Sequence, residues 1–155
     1  MDYSAKKAIS TIKIVHFALI SGLTLFVLIT SYLIINGSIG GGSLDFPFIQ
    51  YIPALIVIAA FLLSTFVFKD SVKKITTSAS LQSKIAGFNT AHIMKMALLE
   101  GAGLVTTVLA LKSADLIMIS APIVIIILML FQTPSAFKLE GLLGLTPEEK
   151  EELMN

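Results

Sequence analysis

Four apolar stretches organise the chain: about Ile14 to Ile35, Phe48 to Phe68, Ala91 to Leu111 and Leu116 to Phe131. Each is long enough, or nearly so, to cross the ~30 Å hydrocarbon layer, which takes roughly 20 helical residues. Lipid offers no partner for free backbone groups, so the runs are expected to be helices. A closed barrel would show alternating segments of about ten residues, and these runs do not alternate. The pattern predicts an all-α, polytopic four-helix bundle of two hairpins. Residues 1–68 form the first hairpin with its N-terminal segment, 69–90 a polar linker, 91–132 the second hairpin and 133–155 a tail.

Composition agrees with membrane insertion. Of 155 residues, 55% are hydrophobic and 14% charged, where a soluble domain carries about 25% charged residues. The net charge of +1 is uninformative, but the lysines are unevenly placed. Lys6, Lys7 and Lys13 precede the first run, and Lys69, Lys73, Lys74 and Lys84 lie between the second and third. Lys138 and Lys150 follow the fourth. The Asn36 to Asp45 loop has no basic residue, and the other short loop has only Lys112. The positive-inside rule therefore predicts that both termini and the middle loop are cytoplasmic. The first run is too long for a signal-peptide core and ends in NGSIGGGS without an A-x-A site, so it is expected to be a retained helix.

Two halves of the chain align. At a shift of 79, IVHFALISGLTL (Ile14 to Leu25) lies over IMKMALLEGAGL (Ile93 to Leu104), with Ala18/Ala97, Leu19/Leu98 and Gly22/Gly101 among the identities. At a shift of 69, YIPALIVI (Tyr51 to Ile58) lies over SAPIVIII (Ser120 to Ile127), sharing Pro53/Pro122 in the first helical turn, where a missing amide proton is harmless. A duplicated hairpin predicts parallel repeats related by an axis along the membrane normal.

Glu100 is the acidic residue within a run. About six residues beyond Met94, it lies roughly 9 Å along the helix. A lipid-facing carboxylate costs a few kcal/mol (~3) on insertion scales, so Glu100 is expected to face inward. It shares a face with Gly103 and Thr107, whose repeat counterparts are Thr24 and Leu28, with Ser21 opposite Glu100 itself. Small residues Gly22, Gly101 and Gly103 suggest close approach of the first and third helices, with Ser21 and Thr24 hydroxyls near the carboxyl. Two roles are open: a protonatable group that binds an ion, proton or polar ligand, or a polar residue fixing helix register. The lack of an acidic neighbour in any run favours the second.

His16 and Lys95 occupy equivalent repeat positions, and His92 lies one turn before Lys95. Near a membrane boundary these residues are expected to act as interface anchors, lysine snorkelling and histidine finding water. No His-x-x-x-His or Glu-x-x-His spacing supports a metal site, and no cofactor motif is present. The chain has no cysteine and no arginine, which removes thiol chemistry and bidentate guanidinium recognition. No basic strip suggests nucleic acid, and no nucleophile stands with a base. The cluster Gly37, Gly40, Gly41 and Gly42 lacks the Lys-Ser/Thr of a phosphate loop and is expected to be a turn.

In the tail, Thr146-Pro147-Glu148-Glu149 has the chemistry of a helix start. Leu139, Leu142, Leu143 and Leu145 could hold the tail against the membrane surface or a partner; a frayed terminus is the alternative.

IVHFALISG, AHIMKMALLEGAGL and the TPS…L…LGL segment after the fourth run resemble a group of small four-helix integral membrane proteins of Bacteroidota, a group that brings no assigned activity. The resemblance implies the cytoplasmic (inner) membrane of a Gram-negative bacterium and equates Glu100 with the group's LLEG-type glutamate. A looser similarity is to the proteolipid subunits of rotary ATPases, whose carboxylate carries the translocated proton or ion. Three departures stand against it: no repeated small-residue ladder, a glutamate that opens the second hairpin, and a lysine bias placing both termini inside. The expected function is a non-enzymatic accessory or structural subunit, with the lipid bilayer, other membrane subunits or a second copy as partners. The alternative is ion or proton handling through Glu100, Ser21, Thr24 and Thr107.

Overall fold

The computed structural model describes residues 5–39, 48–75 and 80–154, and no strand occurs among them. Three helices are long and apolar enough to cross a membrane: α1 (Ala5–Ile35), α2 (Ile52–Ile75) and α3 (Leu81–Ser113). The chain is an all-α, membrane-embedded protein. Hydroxyls within these helices give their hydrogens to carbonyls one turn back, as Thr24 does to Ile20 (2.7 Å), Ser31 to Val27 (2.8 Å) and Thr107 to Gly103 (2.7 Å). Those hydroxyls are thereby satisfied within an apolar layer, whereas the hydroxyls of Thr30 of α1 and Thr65 of α2 are buried without a partner among the described residues.

The fourth apolar run is shorter. It begins as a 3-10 turn, Leu116–Ile119, and continues as α4 (Ser120–Leu130). The two segments rise about 24 Å, less than the ~30 Å layer. Its start is fixed by local chemistry: Ala114 takes the left-handed conformation (φ 51°) that ends α3, and the Asp115 carboxylate accepts from the Ile117 amide at 2.8 Å.

Contact register gives the helix directions. His16 meets His92, Gly22 lies against Glu100, and Leu23 lies against Gly103. Positions rise together, so α1 and α3 run parallel. Phe68 meets Phe88 and Lys95, whereas Ile75 meets Gly87, so α2 is antiparallel to α3. α4 is also antiparallel to α3, because Met118 meets Ser113 while Thr133, just past its far end, meets His16. α3 is the central element and packs on all three others. α2 is peripheral, with only Pro53, Ser64, Val72 and Ile75 buried.

Two cores are stacked along the bundle. One joins Leu23, Met96, Leu99, Ala110, Ile125 and Met129, all fully buried between α1, α3 and α4. The other lies where lysines gather and joins Ile9, Val72, Ile75, Ile85 and Phe88 to Leu139 and Leu143. Most of the polar linker is helical, because α2 runs on to Ile75 and α3 starts at Leu81. Positions 76–79 lie outside the described residues, as do Gly40, Gly41 and Gly42 of the glycine cluster.

The tail folds back as α5 (Ala136–Leu143) and α6 (Pro147–Met154), so it is not frayed. Leu139, Leu143 and Leu145 are buried in the second core, while Leu142 stays largely exposed. Gly144 supplies the left-handed turn (φ 55°) between the two helices, a conformation that costs glycine little. At the start of α6, the Thr146 hydroxyl accepts from the Glu149 amide (3.3 Å) and the Glu149 carboxylate accepts from the Thr146 amide (2.9 Å). That is the reciprocal capping box read from the sequence. The same carboxylate receives Lys84 of α3 at 2.8 and 3.0 Å, tying the tail to the bundle. Glu149 is thereby held below the usual carboxylate range, first by Lys84 and then by the Thr146 amide.

Candidate functional site

The seam between α1 and α3 brings together most of the polar residues singled out in the sequence. Along it, α3 positions one helical turn apart, such as Met96, Leu99, Gly103 and Thr107, share the interior face, and residues between them stand at the rim or outside. Gly103 faces inward: a Cβ there would come within 2.5 Å of the buried Leu23 side chain. Gly101 lies 200° around the helix from Gly103 by the 100° step of an α-helix and meets open space. Gly101 is therefore not a close-packing position within the chain, unlike the expectation for it. At Gly22 the nearest group is the Glu100 carboxyl, 3.8 Å from where a Cβ would stand.

Glu100 occupies the rim of this seam. It packs on Gly22 but is partly exposed, and its carboxyl has no hydrogen bond or ion pair within the described chain. The expected inward burial is thus incomplete. The physical reason lies in the helix face: Leu99 takes the interior position, fully buried, and Glu100 is displaced 100° to the edge. Ser21, Gly22, Ala97 and Gly101 around it are all exposed. Thr107 is fully buried one turn beyond Gly103, and its hydroxyl, like that of Thr24, is committed to its own helix backbone.

The interior polar group at the seam is a pair of histidines. His16 and His92 are 1% and 4% exposed, and His92 Nε2 lies 3.2 Å from His16 Nδ1. They are not the water-seeking anchors expected from the sequence. His92 stacks on Phe88, with ring centroids 5.9 Å apart and planes 18° from parallel. The other nitrogen of His16 lies 3.4 Å from the Thr133 hydroxyl, which itself donates to the Leu130 carbonyl at 2.8 Å. With that hydroxyl hydrogen on Leu130, Thr133 accepts from His16 Nε2, and the matching tautomer has His16 Nδ1 accept from His92 Nε2; donation by Thr133 to His16 requires the reverse order. One chain of polar contacts links α3, α1 and the end of α4. No third His, Asp or Glu joins the pair among the described residues, and two imidazoles fall short of the three protein ligands of a catalytic zinc site. Pairing was not legible because the repeat sets His16 opposite Lys95. The signal was the spacing from His16 to His92, close to that of the other contacting pairs.

Lys95 extends sideways, its ammonium 4.8 Å from the centroid of the Phe68 ring, a favourable cation–π distance. It lines a pocket of about 190 Å³ with His92, Lys138 and the rings of Phe68 and Phe88. Lys138 Nζ donates to the carbonyls of Phe131 (3.1 Å) and Thr133 (2.9 Å), at the end of α4. A second hollow of about 280 Å³ lies at the opposite end between α2 and α4 and is almost wholly apolar.

No protein-family model, curated protein or solved structure matches the chain.

Proposed function

We propose that the chain is a non-enzymatic accessory or structural subunit of a larger membrane assembly. One observation carries the reading: Glu100 stands within a helix long and apolar enough to cross a membrane, on a partly exposed surface and without a donor among the described residues. A carboxyl in that position is costly against acyl chains and far less so beneath a neighbouring helix that supplies a hydrogen bond. The surrounding Ser21, Gly22, Ala97 and Gly101 leave room for such a helix, since small residues allow close backbone approach in membranes. In this reading α1–α2 and α3–α4 are duplicated hairpins of a four-helix bundle in a bacterial inner membrane. Both termini face the cytoplasm, in line with the lysine distribution. The parallel course of α1 and α3 supports the repeat.

The chain has no cysteine, so a single introduced thiol reports its own neighbours. Ala97→Cys, at the rim, is expected to cross-link to a protein in native membranes, whereas Leu62→Cys, on the exposed face of α2, gives none. Cross-linking at neither position, or equally at both, refutes the assignment. A second reading, ion or proton handling, rests on the same unpaired carboxyl. Thr24, half-buried, has spent its hydrogen on the Ile20 carbonyl and so keeps lone pairs for a cation, whereas Thr107 is fully buried away from the rim. Glu100→Gln separates the two. Loss of ion flux in proteoliposomes with the Ala97→Cys cross-link intact supports transport, and loss of the cross-link supports the subunit role.

A further inference from the structure

The lysine-rich end of the bundle contains a pocket whose charge is not balanced from within. Lys95 and Lys138 both line it, no acidic residue does, and Lys95 has no ion pair among the described residues. Lys69 directly follows Phe68, whose ring lines the pocket. Two like charges converging in a half-enclosed space repel one another, and an anion between them removes that cost. Three aromatic rings line the pocket, Phe68, Phe88 and Phe131, the first two in edge-to-face contact. Gln132 also lines it, its amide nitrogen donating to the Leu128 carbonyl at 3.1 Å.

Location narrows the anion. The apolar run of α2 ends at Phe68–Lys69 and that of α4 at Phe131–Gln132, and both ends border this pocket. It therefore lies where hydrocarbon gives way to headgroups. At about 190 Å³ it falls below the ~300 Å³ of a typical pocket for a drug-sized ligand. It can admit a headgroup but no acyl chains, which would run outside along Phe131, 79% exposed. From these placements we infer that the Lys95–Lys138 pocket binds a phosphate ester, the headgroup of an anionic phospholipid. Basic pockets between membrane helices recognise such groups by charge. The inference does not depend on Glu100 or on any partner protein.

The test is native mass spectrometry of the full chain in detergent, offered phosphatidylglycerol, phosphatidylcholine or inorganic phosphate. Wild type is expected to retain phosphatidylglycerol over phosphatidylcholine. Lys95→Met should weaken that retention about fivefold, the effect of the ~1 kcal/mol that one lysine contributes near an anionic surface. Lys112→Gln, exposed at the opposite end of α3, should leave it unchanged. Lys138→Gln gives a second reading, but that side chain also holds the end of α4, so helicity by circular dichroism is measured alongside. Inorganic phosphate that binds without lipid and is weakened by Lys95→Met identifies a free phosphate as the source. Equal retention of both lipids, or a preference that Lys95→Met leaves intact with no phosphate binding, overturns the assignment.

Discussion

Gly101 and Gly103 stand two residues apart on α3 and face opposite sides of it, which makes them a matched pair. Gly101→Ala adds a methyl to open space; Gly103→Ala drives one to 2.5 Å from Leu23 Cδ2 and 2.9 Å from Cδ1. Both changes gain the same helix propensity, roughly 1 kcal/mol in a helix interior. Only the second meets a packing cost. Leu23 is fully buried in a cluster with Met96 and Leu99, so it has no solvent to rotate into, and overpacking of such a site costs about 1–3 kcal/mol. Shared propensity cancels in the comparison, leaving Gly103→Ala less stable than Gly101→Ala by about 1–3 kcal/mol. The folded-to-unfolded ratios then differ by roughly 5- to 150-fold. The assay is unfolding from mild detergent by sodium dodecyl sulfate, followed by energy transfer between dyes on cysteines introduced at Asn36 and Lys112. Both positions are exposed, near the same ends of α1 and α3. Equal midpoints, or a more stable Gly103→Ala, would falsify the close approach of α1 and α3 at this level.

Further expectations concern the histidines and the tail. Replacing His16 or His92 singly by Leu leaves a buried ring nitrogen without its partner, at a cost of about 1–3 kcal/mol. The double variant is expected to lose less than the sum by at least ~0.5 kcal/mol, and strict additivity in the same unfolding assay would argue against a hydrogen-bonded pair. For the tail, the Glu149 carboxyl lies below its ordinary value because Lys84 and the Thr146 amide favour the ionised form. A depressed carboxylate contributes fully above its unfolded pKa of about 4.3 and loses that contribution as pH falls through the lower folded value. A spin label at Glu151→Cys should therefore gain mobility on acidification below about pH 4. Glu149→Gln should already be mobile at neutral pH, and a label indifferent to both changes sinks the tether.

Much of the fold was legible because its determinants are local. Long apolar runs require helices wherever water cannot reach the backbone, Pro53 and Pro122 fit only a first turn, and Thr146 and Glu149 are three residues apart as a capping box demands. The site was legible only in outline. Sequence spacing placed Glu100, Gly103 and Thr107 on one broad face, and the structure divides that face. Gly103 and Thr107 go inside, and Glu100 stays on the rim because Leu99 fills the interior beside it. Lys95 was legible as a lysine near the start of an apolar run, but its position over Phe68 depends on where α2 crosses α3.

What the sequence determined by itself is the solvent of the protein and the identity of its helices, since transfer free energy and backbone pairing act residue by residue along the chain. What tertiary structure decided is which polar groups meet. His16 and His92 are 76 residues apart with α2 between them; only the parallel packing of α1 on α3 brings them within 3.2 Å. The lysines of the anion pocket likewise come from α3 and α5. Such pairings depend on helix rotation and axial offset. Within an apolar layer those are set by the fit of small and large side chains, such as Gly103 against Leu23, which hydrophobicity alone does not encode.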